Sequence, residues 1–369
     1  MIIGVLKEPS SEARTSMVPE TVSALVKKGH QVWVEYEAGS SAYCSNFTYV
    51  EAGATLTDRN NIIQHADVLL SIQIPSDIES FPSGKVLIGI YMPLYNKELM
   101  GKLALKGLSI FSLDMLPRTT RAQSMDVLSS QANIAGYKAV LLAASLYPRY
   151  FPMFMTAAGS IPPAKVLILG AGVAGLQAIA TSRRLGAVVE VFDTRPAVKE
   201  EVMSLGAKFV EVEGAADASK AGGYAVEQNE EYQQKQRERI AEAVKKADII
   251  ITTAQIPGKK APILITDDMI QTMREGSLII DLAAATGGNT PHTINQQTIE
   301  VEGVRIIGNS ELPGSVPFDA SKLYAKNVSN FLSLIMTKEN NLDLNFSDEL
   351  VAGSCITHNG AIVHERVKS

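Results

Sequence analysis

The stretch Val166-Leu-Ile-Leu-Gly170-Ala-Gly172-Val-Ala-Gly175-Leu-Gln-Ala-Ile-Ala180 decides the fold. An apolar run of strand length ends in a glycine, two further glycines complete the spacing GxGxxG, and the apolar period then lengthens to that of a helix. In such a strand–turn–helix unit the first glycine makes the tight turn and the second lets backbone approach a pyrophosphate. The third allows close helix–strand packing, and the helix N-terminus faces the negative charge. Alone the motif is weak; here a helix over 173–185 leads through Gly186 to a second strand, Val188–Phe192, that ends in Asp193. An acid about 20 residues past the glycines can accept hydrogen bonds from adenosine ribose hydroxyls and would repel a 2′-phosphate. NAD(H) is therefore favoured over NADP(H), although Asp193 also reads as an ordinary strand-end acid and Arg195 as a partner for a phosphate.

Working outward, short β-branched runs at 165–169, 208–212, 249–253, 278–282 and 305–307 read as parallel strands buried on both faces. The N-terminal third repeats the alternation: strands over 1–6, 31–35, 67–72 and 86–89, with a helix over 19–28. Between the two series an Ala- and Leu-rich helix over 124–144 runs into Pro148 and Pro152, which should end it. A helix over 321–335 and an alternating tail over 351–363 read as a return to the first domain. The expected architecture is α/β, with two Rossmann-like doubly wound parallel-sheet domains joined by a long helix. The first domain spans 1–128 plus 318–369, and the second, nucleotide-binding one spans 129–317. Polar, Gly-containing sequence near 213–230 reads either as a solvated insertion or as a mobile loop over a site.

Composition closes off other classes. With 369 residues, 46% hydrophobic and 20% charged, the chain has material for two cores. A net charge of -5 gives no general attraction for nucleic acid, so none is expected as a partner. The opening Met1-Ile-Ile-Gly-Val-Leu-Lys-Glu is expected to be a first strand rather than a leader, and no apolar run is long enough for a membrane helix. Two isolated cysteines, Cys44 and Cys355, fit a reducing compartment. His30, His65, His292, His358 and His364 are scattered, so no metal site is expected.

One polar cluster stands apart: Pro117-Arg118-Thr-Thr-Arg121-Ala-Gln123-Ser124-Met-Asp126-Val-Leu-Ser129-Ser130-Gln131. Ser124 or Asp126 would cap the helix that follows. A planar amide such as Gln123 can hold a carboxamide or a ribose hydroxyl, and an Arg118–Asp126 ion pair would fix the segment. Such a set orients a nicotinamide ring without acting as acid or base.

From Arg118 to Tyr137 the sequence resembles the signature loop of the NAD(H)-binding domain of the proton-translocating transhydrogenases. The likeness continues through Thr156–Ala164, Gly170–Ala178, Phe192–Glu200, Ile256–Lys259 and Asp281–Asn289, and covers nearly the whole chain. The resemblance implies direct hydride transfer from NADH here to NADP+ on a separate partner domain, coupled to proton movement by a membrane-spanning domain. It implies a Re/Si-specific NAD(P)+ transhydrogenase, active only with those partners. A homodimer and a cytoplasmic position, peripheral at the inner membrane or on the matrix-equivalent side of an organelle, are implied too. It places Arg118, Gln123, Asp126 and Ser129 around the nicotinamide end. It assigns the remaining cofactor contacts to Gly170, Ala171, Gly172, Val173, Ala174, Gly175, Asp193, Thr194, Arg195 and Tyr224, the last as the tyrosine of the mobile loop. Alanine dehydrogenase is the nearest rival, and Arg14 matches its substrate-binding arginine. Where that family carries a lysine and a histidine, this chain reads Ser71-Ile-Gln-Ile-Pro75 and Gly89-Ile-Tyr-Met-Pro93. Both groups are missing.

Overall fold

A computed structural model describes residues 1–212, 230–337 and 339–368. The chain divides into two compact units, 1–131 with 314–369, and 132–313.

In chain order the first unit runs β1 (Ile2–Val5), α1 (Pro19–Lys27), β2 (Gln31–Glu35), α2 (Asn46–Glu51), β3 (Thr55–Thr57), α3 (Arg59–His65), β4 (Val68–Leu70), β5 (Val86–Gly89), α4 (Lys97–Leu105) and β6 (Ser109–Ser112). The chain passes from the first unit to the second within α5 (Val127–Leu146). In the second unit follow β7 (Phe154–Thr156), β8 (Gly159–Ile161), β9 (Lys165–Leu169), α6 (Val173–Arg184), β10 (Val188–Phe192), α7 (Lys199–Ser204), β11 (Lys208–Phe209), α8 (Glu230–Val244), β12 (Ile249–Thr252), α9 (Asp267–Gln271), β13 (Leu278–Asp281), β14 (Gln297–Val301) and β15 (Val304–Gly308). The chain then returns to the first unit through α10 (Pro317–Leu332), α11 (Glu349–Ser354), β16 (Cys355–His358), β17 (Ala361–Ile362) and α12 (Glu365–Lys368).

The first sheet has eight strands in the order β17-β16-β6-β5-β4-β1-β2-β3, and the second has seven, β11-β10-β9-β12-β13-β15-β14. Both are doubly wound, because residues alternate strictly between faces. In the first sheet Val68 and Leu70 pack with Val22 of α1 and Val328 of α10, while Leu69 between them packs with Ile62 of α3 and Leu103 of α4. In the second sheet Ile249 and Ile251 pack with Ile179 of α6 and Val140 of α5, whereas Ile250 packs with Ile240 of α8 and Ile270 of α9.

The sheets are parallel in their interiors but not throughout. β14 runs antiparallel to β15, and β16 runs antiparallel to both β6 and β17. The strand expected over 208–212 is only the pair Lys208–Phe209 against β10, and the long helix begins at Val127, after a 3-10 turn over Thr120–Met125. α10 starts at Pro317, where the missing N–H costs nothing in a first turn. The mobile loop expected near 213–230, Tyr224 with it, lies outside the described residues apart from Glu230, the first residue of α8.

Candidate functional site

In the second sheet the strand order reverses between β9 and β12, and the crevice beyond strands at such a switch point is where open α/β sheets bind ligands. Gly170 follows β9 with φ +109, a backbone conformation that suits glycine, and a Cβ there would stand 2.3 Å from Thr253 Oγ1. Gly175 is tighter: its Cβ would lie 1.9 Å from the Gly170 carbonyl oxygen. Gly172 differs from both, since a Cβ there would meet no atom within 4 Å. It is the N-cap of α6, and no side chain caps that helix or places an acid in its first turn. The N–H groups of Val173, Ala174 and Gly175 lie in the first turn at this end, next to the open face of Gly172, an arrangement that suits an anion. Helix α5 reaches the same turn, because Gly136 lets its backbone approach Ala174, where a Cβ would be 2.0 Å from the carbonyl oxygen.

Asp193 caps β10 and is 9% exposed. One carboxylate oxygen accepts from the Ala171 N–H at 2.7 Å and from Arg195 Nη2 at 2.7 Å. The other accepts from the Arg195 N–H at 2.8 Å and Nε at 2.9 Å. The carboxylate at its side keeps the Arg195 guanidinium more firmly protonated than usual. Thr194 between them is half-buried. Tyr232 of α8 is buried in the same unit, and burial, with the charge of Asp193 added, pushes its phenol pKa up. Sequence reasoning did not select Tyr232; the available signal was one aromatic in an otherwise charged helical run.

Across the switch point, Asn289 holds the segment after β12. Its Nδ2 donates to the carbonyls of Ala254 at 2.9 Å and Pro262 at 2.8 Å. Asn289 is fixed in turn by the buried Asp281, which accepts from the Asn289 N–H and from Thr293 Oγ1, both at 2.6 Å. The segment 281–289 thus braces the chain on either side of 256–259.

The polar cluster at 118–129 lies in the first unit. Asp126 takes the capping role at the start of α5, accepting from the Ser129 N–H at 2.8 Å and the Ser129 hydroxyl at 2.6 Å. The carboxylate expected to pair with Arg118 is thereby committed to Ser129, and Arg121 makes an ion pair with Asp348 at 2.6 Å. Asn327 and Asn330 of α10 both donate to the Ser124 carbonyl, at 2.9 and 2.8 Å. This anchoring leaves Arg118 and Gln123 exposed on a turn whose backbone is held from two sides.

A second polar group occupies the switch point of the first sheet, beyond β1 and β4. Glu8 accepts from the N–H groups of Ile72 at 2.6 Å and Gln73 at 3.1 Å, and burial pushes its pKa up to about 7. Arg14 is matched by Glu12 through Nε at 2.8 Å and Nη2 at 2.6 Å, and its Nη1 reaches Gln131 Oε1 at 2.7 Å. Where alanine dehydrogenases carry their lysine and histidine, an amide, Gln73, bonds Glu12 at 3.4 Å. A phenol, Tyr91, bonds the Ser71 hydroxyl at 2.9 Å, and burial raises its pKa. The amide has no proton to exchange in this range, and burial keeps the phenol protonated.

Against known proteins, two family descriptions match: "Alanine dehydrogenase/PNT, N-terminal domain" over residues 4–135 and "Alanine dehydrogenase/PNT, C-terminal domain" over 139–365. The chain belongs to the alanine dehydrogenase/PNT family. Within it, the chain is 44% identical to the first of the polypeptides that make up NAD(P) transhydrogenase subunit alpha of Rhodospirillum rubrum, across 99% of this chain and 98% of that one. A solved transhydrogenase from Sinorhizobium meliloti superposes with a TM-score of 0.89 at 45% identity, covering 98% of this chain and 100% of the other. An L-alanine dehydrogenase structure follows at 0.81 and 26% identity, covering 100% and 98%. Both branches of the alanine dehydrogenase/PNT family share the fold, and the identities separate them.

Proposed function

We propose that the chain is the NAD(H)-binding component of a proton-translocating transhydrogenase, exchanging hydride directly with NADP(H) held on a partner domain. The observation that carries this reading is the open, uncapped turn Gly170–Gly175 with Asp193 beside it, in a chain similar to transhydrogenase subunits over its full length. The free N–H groups and dipole of α6 would hold the pyrophosphate. Asp193, with Ala171, Thr194 and Arg195 around it, would take the adenosine ribose. NADH held by these residues would supply a hydride to the NADP+ on the partner domain, its own oxidation balancing the reduction of the other nucleotide. No substrate proton moves, so no general base is required, and catalysis consists of positioning and of excluding water. Arg118, Gln123, Asp126 and Ser129 would orient the nicotinamide, with Asp126 and Ser129 stiffening the turn that carries Gln123.

The finer parts of the reading rest on the same likeness. They are Re/Si stereospecificity, activity only beside the NADP(H)-binding and membrane-spanning domains, and peripheral placement at the inner membrane through those partners. No described helix is long and apolar enough to cross a membrane itself. The chain mixed with an NADP(H)-loaded partner domain should exchange hydride between NADH and an NADP+ analogue. In that assay Gln123→Asn should slow exchange on the order of tenfold while NADH affinity stays nearly constant, because a shortened amide misplaces the ring without touching the nucleotide's main anchors. Lost affinity at a normal maximal rate would remove Gln123 from ring orientation. NADH formation from alanine and NAD+ would instead favour the alanine dehydrogenase reading.

A homodimer is supported by the hairpin β7–β8, exposed at all six positions, with Met155 73% and Phe154 41% exposed and Phe154 stacked on Tyr150. An isolated two-stranded hairpin is marginal in water, and a second copy would cover it. Phe154→Asp should shift the chain toward monomer in sedimentation equilibrium, by tenfold or more in dimer dissociation constant, the effect of burying an unpaired charge. An unchanged dimer would place the interface elsewhere.

A further inference from the structure

Asp193, the acid on which nucleotide choice turns, is already filled. Among the described residues its donors are the Ala171 N–H and three groups of Arg195, all within 2.9 Å. A carboxylate offers about four lone-pair positions, so ribose hydroxyls arriving there meet an acceptor with its places taken. Two of the donors are backbone N–H groups. One belongs to the glycine turn, and the other to a residue held extended at φ -98, ψ 108 ahead of Pro196. The guanidinium is the group that can leave, and Glu201 of α7 offers it a second attraction.

We propose that Arg195 is the selectivity residue of the adenosine-ribose subsite: its side chain competes with ribose hydroxyls for Asp193 and, by neutralising that acid, softens the exclusion of a 2′-phosphate. This rests on the NAD(H) reading above. The two nucleotides feel Arg195 with opposite signs. NADH binds only when the clamp opens, so its apparent affinity is reduced by the fraction of molecules in which the clamp is closed. A 2′-phosphate meets an ion pair instead of a bare carboxylate, so repulsion between like charges is weakened. The sequence pattern of strand, glycines and acid thus overstates the discrimination that the folded site delivers.

The test is titration of NADH and NADPH into the full chain, as wild type, Arg195→Gln, Asp193→Asn and the double variant. Arg195→Gln should bind NADH about threefold to tenfold more tightly, the factor that a net hydrogen-bond contribution gives. It should bind NADPH more weakly, so that the NADPH-to-NADH ratio of dissociation constants rises by about tenfold or more. In the Asp193→Asn background the same change should leave NADH affinity nearly unaltered, because the clamp has lost the carboxylate it grips, and should act on NADPH alone. Arg195→Lys, which keeps the charge but loses the bidentate fork, should give an intermediate ratio and stands in should the glutamine variant fail to fold. A parallel change for both nucleotides with an unaltered ratio would make Arg195 merely structural and overturn the proposal. So would an Arg195→Gln effect on NADH that persists in full without Asp193. Failure of the wild type to bind NADH at all would overturn the functional reading itself, an outcome distinguishable from the others because every variant would then be equally inert.

Discussion

Gly175→Ala should abolish measurable NADH binding at concentrations that saturate the wild type, an affinity loss of at least about a hundredfold, and lower the stability of the second unit by about 3 kcal/mol. The added methyl would stand 1.9 Å from the Gly170 carbonyl oxygen, which is backbone, so no rotamer change can relieve the overlap. Either α6 withdraws from β9 or the turn opens, and both displace the N–H groups meant for the pyrophosphate. The turn cannot open freely, because the Gly170 N–H is tied to the Phe192 carbonyl at 2.8 Å and Gly136 of α5 seats its helix against Ala174. Thermal melting and an NADH fluorescence titration would check the two halves of the prediction. Binding within threefold of wild type would show that this turn can move without consequence, which a pyrophosphate cradle cannot.

Asp193→Ala should weaken NADH by about a hundredfold and let NADPH approach it in affinity. Three things are lost together: the acceptor for the ribose, the partner of the buried Ala171 N–H, and the charge that holds Arg195. An unsatisfied buried donor costs about 1–3 kcal/mol, and each hydrogen bond to a charged group contributes about as much. Arg195, released beside the ribose position, becomes a cation available to a 2′-phosphate. Selectivity should therefore collapse further than affinity, which parallel titrations with the two nucleotides would read. An unaltered NADPH-to-NADH ratio would leave the acid as a strand terminus without a role in recognition.

Much of this is legible in the sequence. The central strands were readable because both faces are buried and β-branched residues fill them, as in Ile249–Thr252. The glycine turn was readable because its chemistry is local. What stayed hidden had the opposite character. β3 and β14 are partly exposed edge strands without an apolar signature, and the β7–β8 hairpin puts apolar side chains on its outside, against the usual pattern. The clamp of Arg195 on Asp193 depends on a rotamer that a spacing of two residues does not specify. Tyr232 comes near Asp193 only through the packing of α8, and the commitment of Asp126 to Ser129 rather than to Arg118 follows from a helix cap forming at that residue. Local chemistry announces itself in sequence; partner choice among charged groups is settled by packing.

The margins of the two sheets carry a consequence for how the protein behaves when crowded. One ends in the two-residue β17 and the three-residue β3, the other in the two-residue β11 and in β14, whose Glu300 is exposed. Stubby or charged borders offer little template on which another copy could nucleate a growing fibre. Borders of this kind let many copies of the chain share a crowded compartment without polymerising.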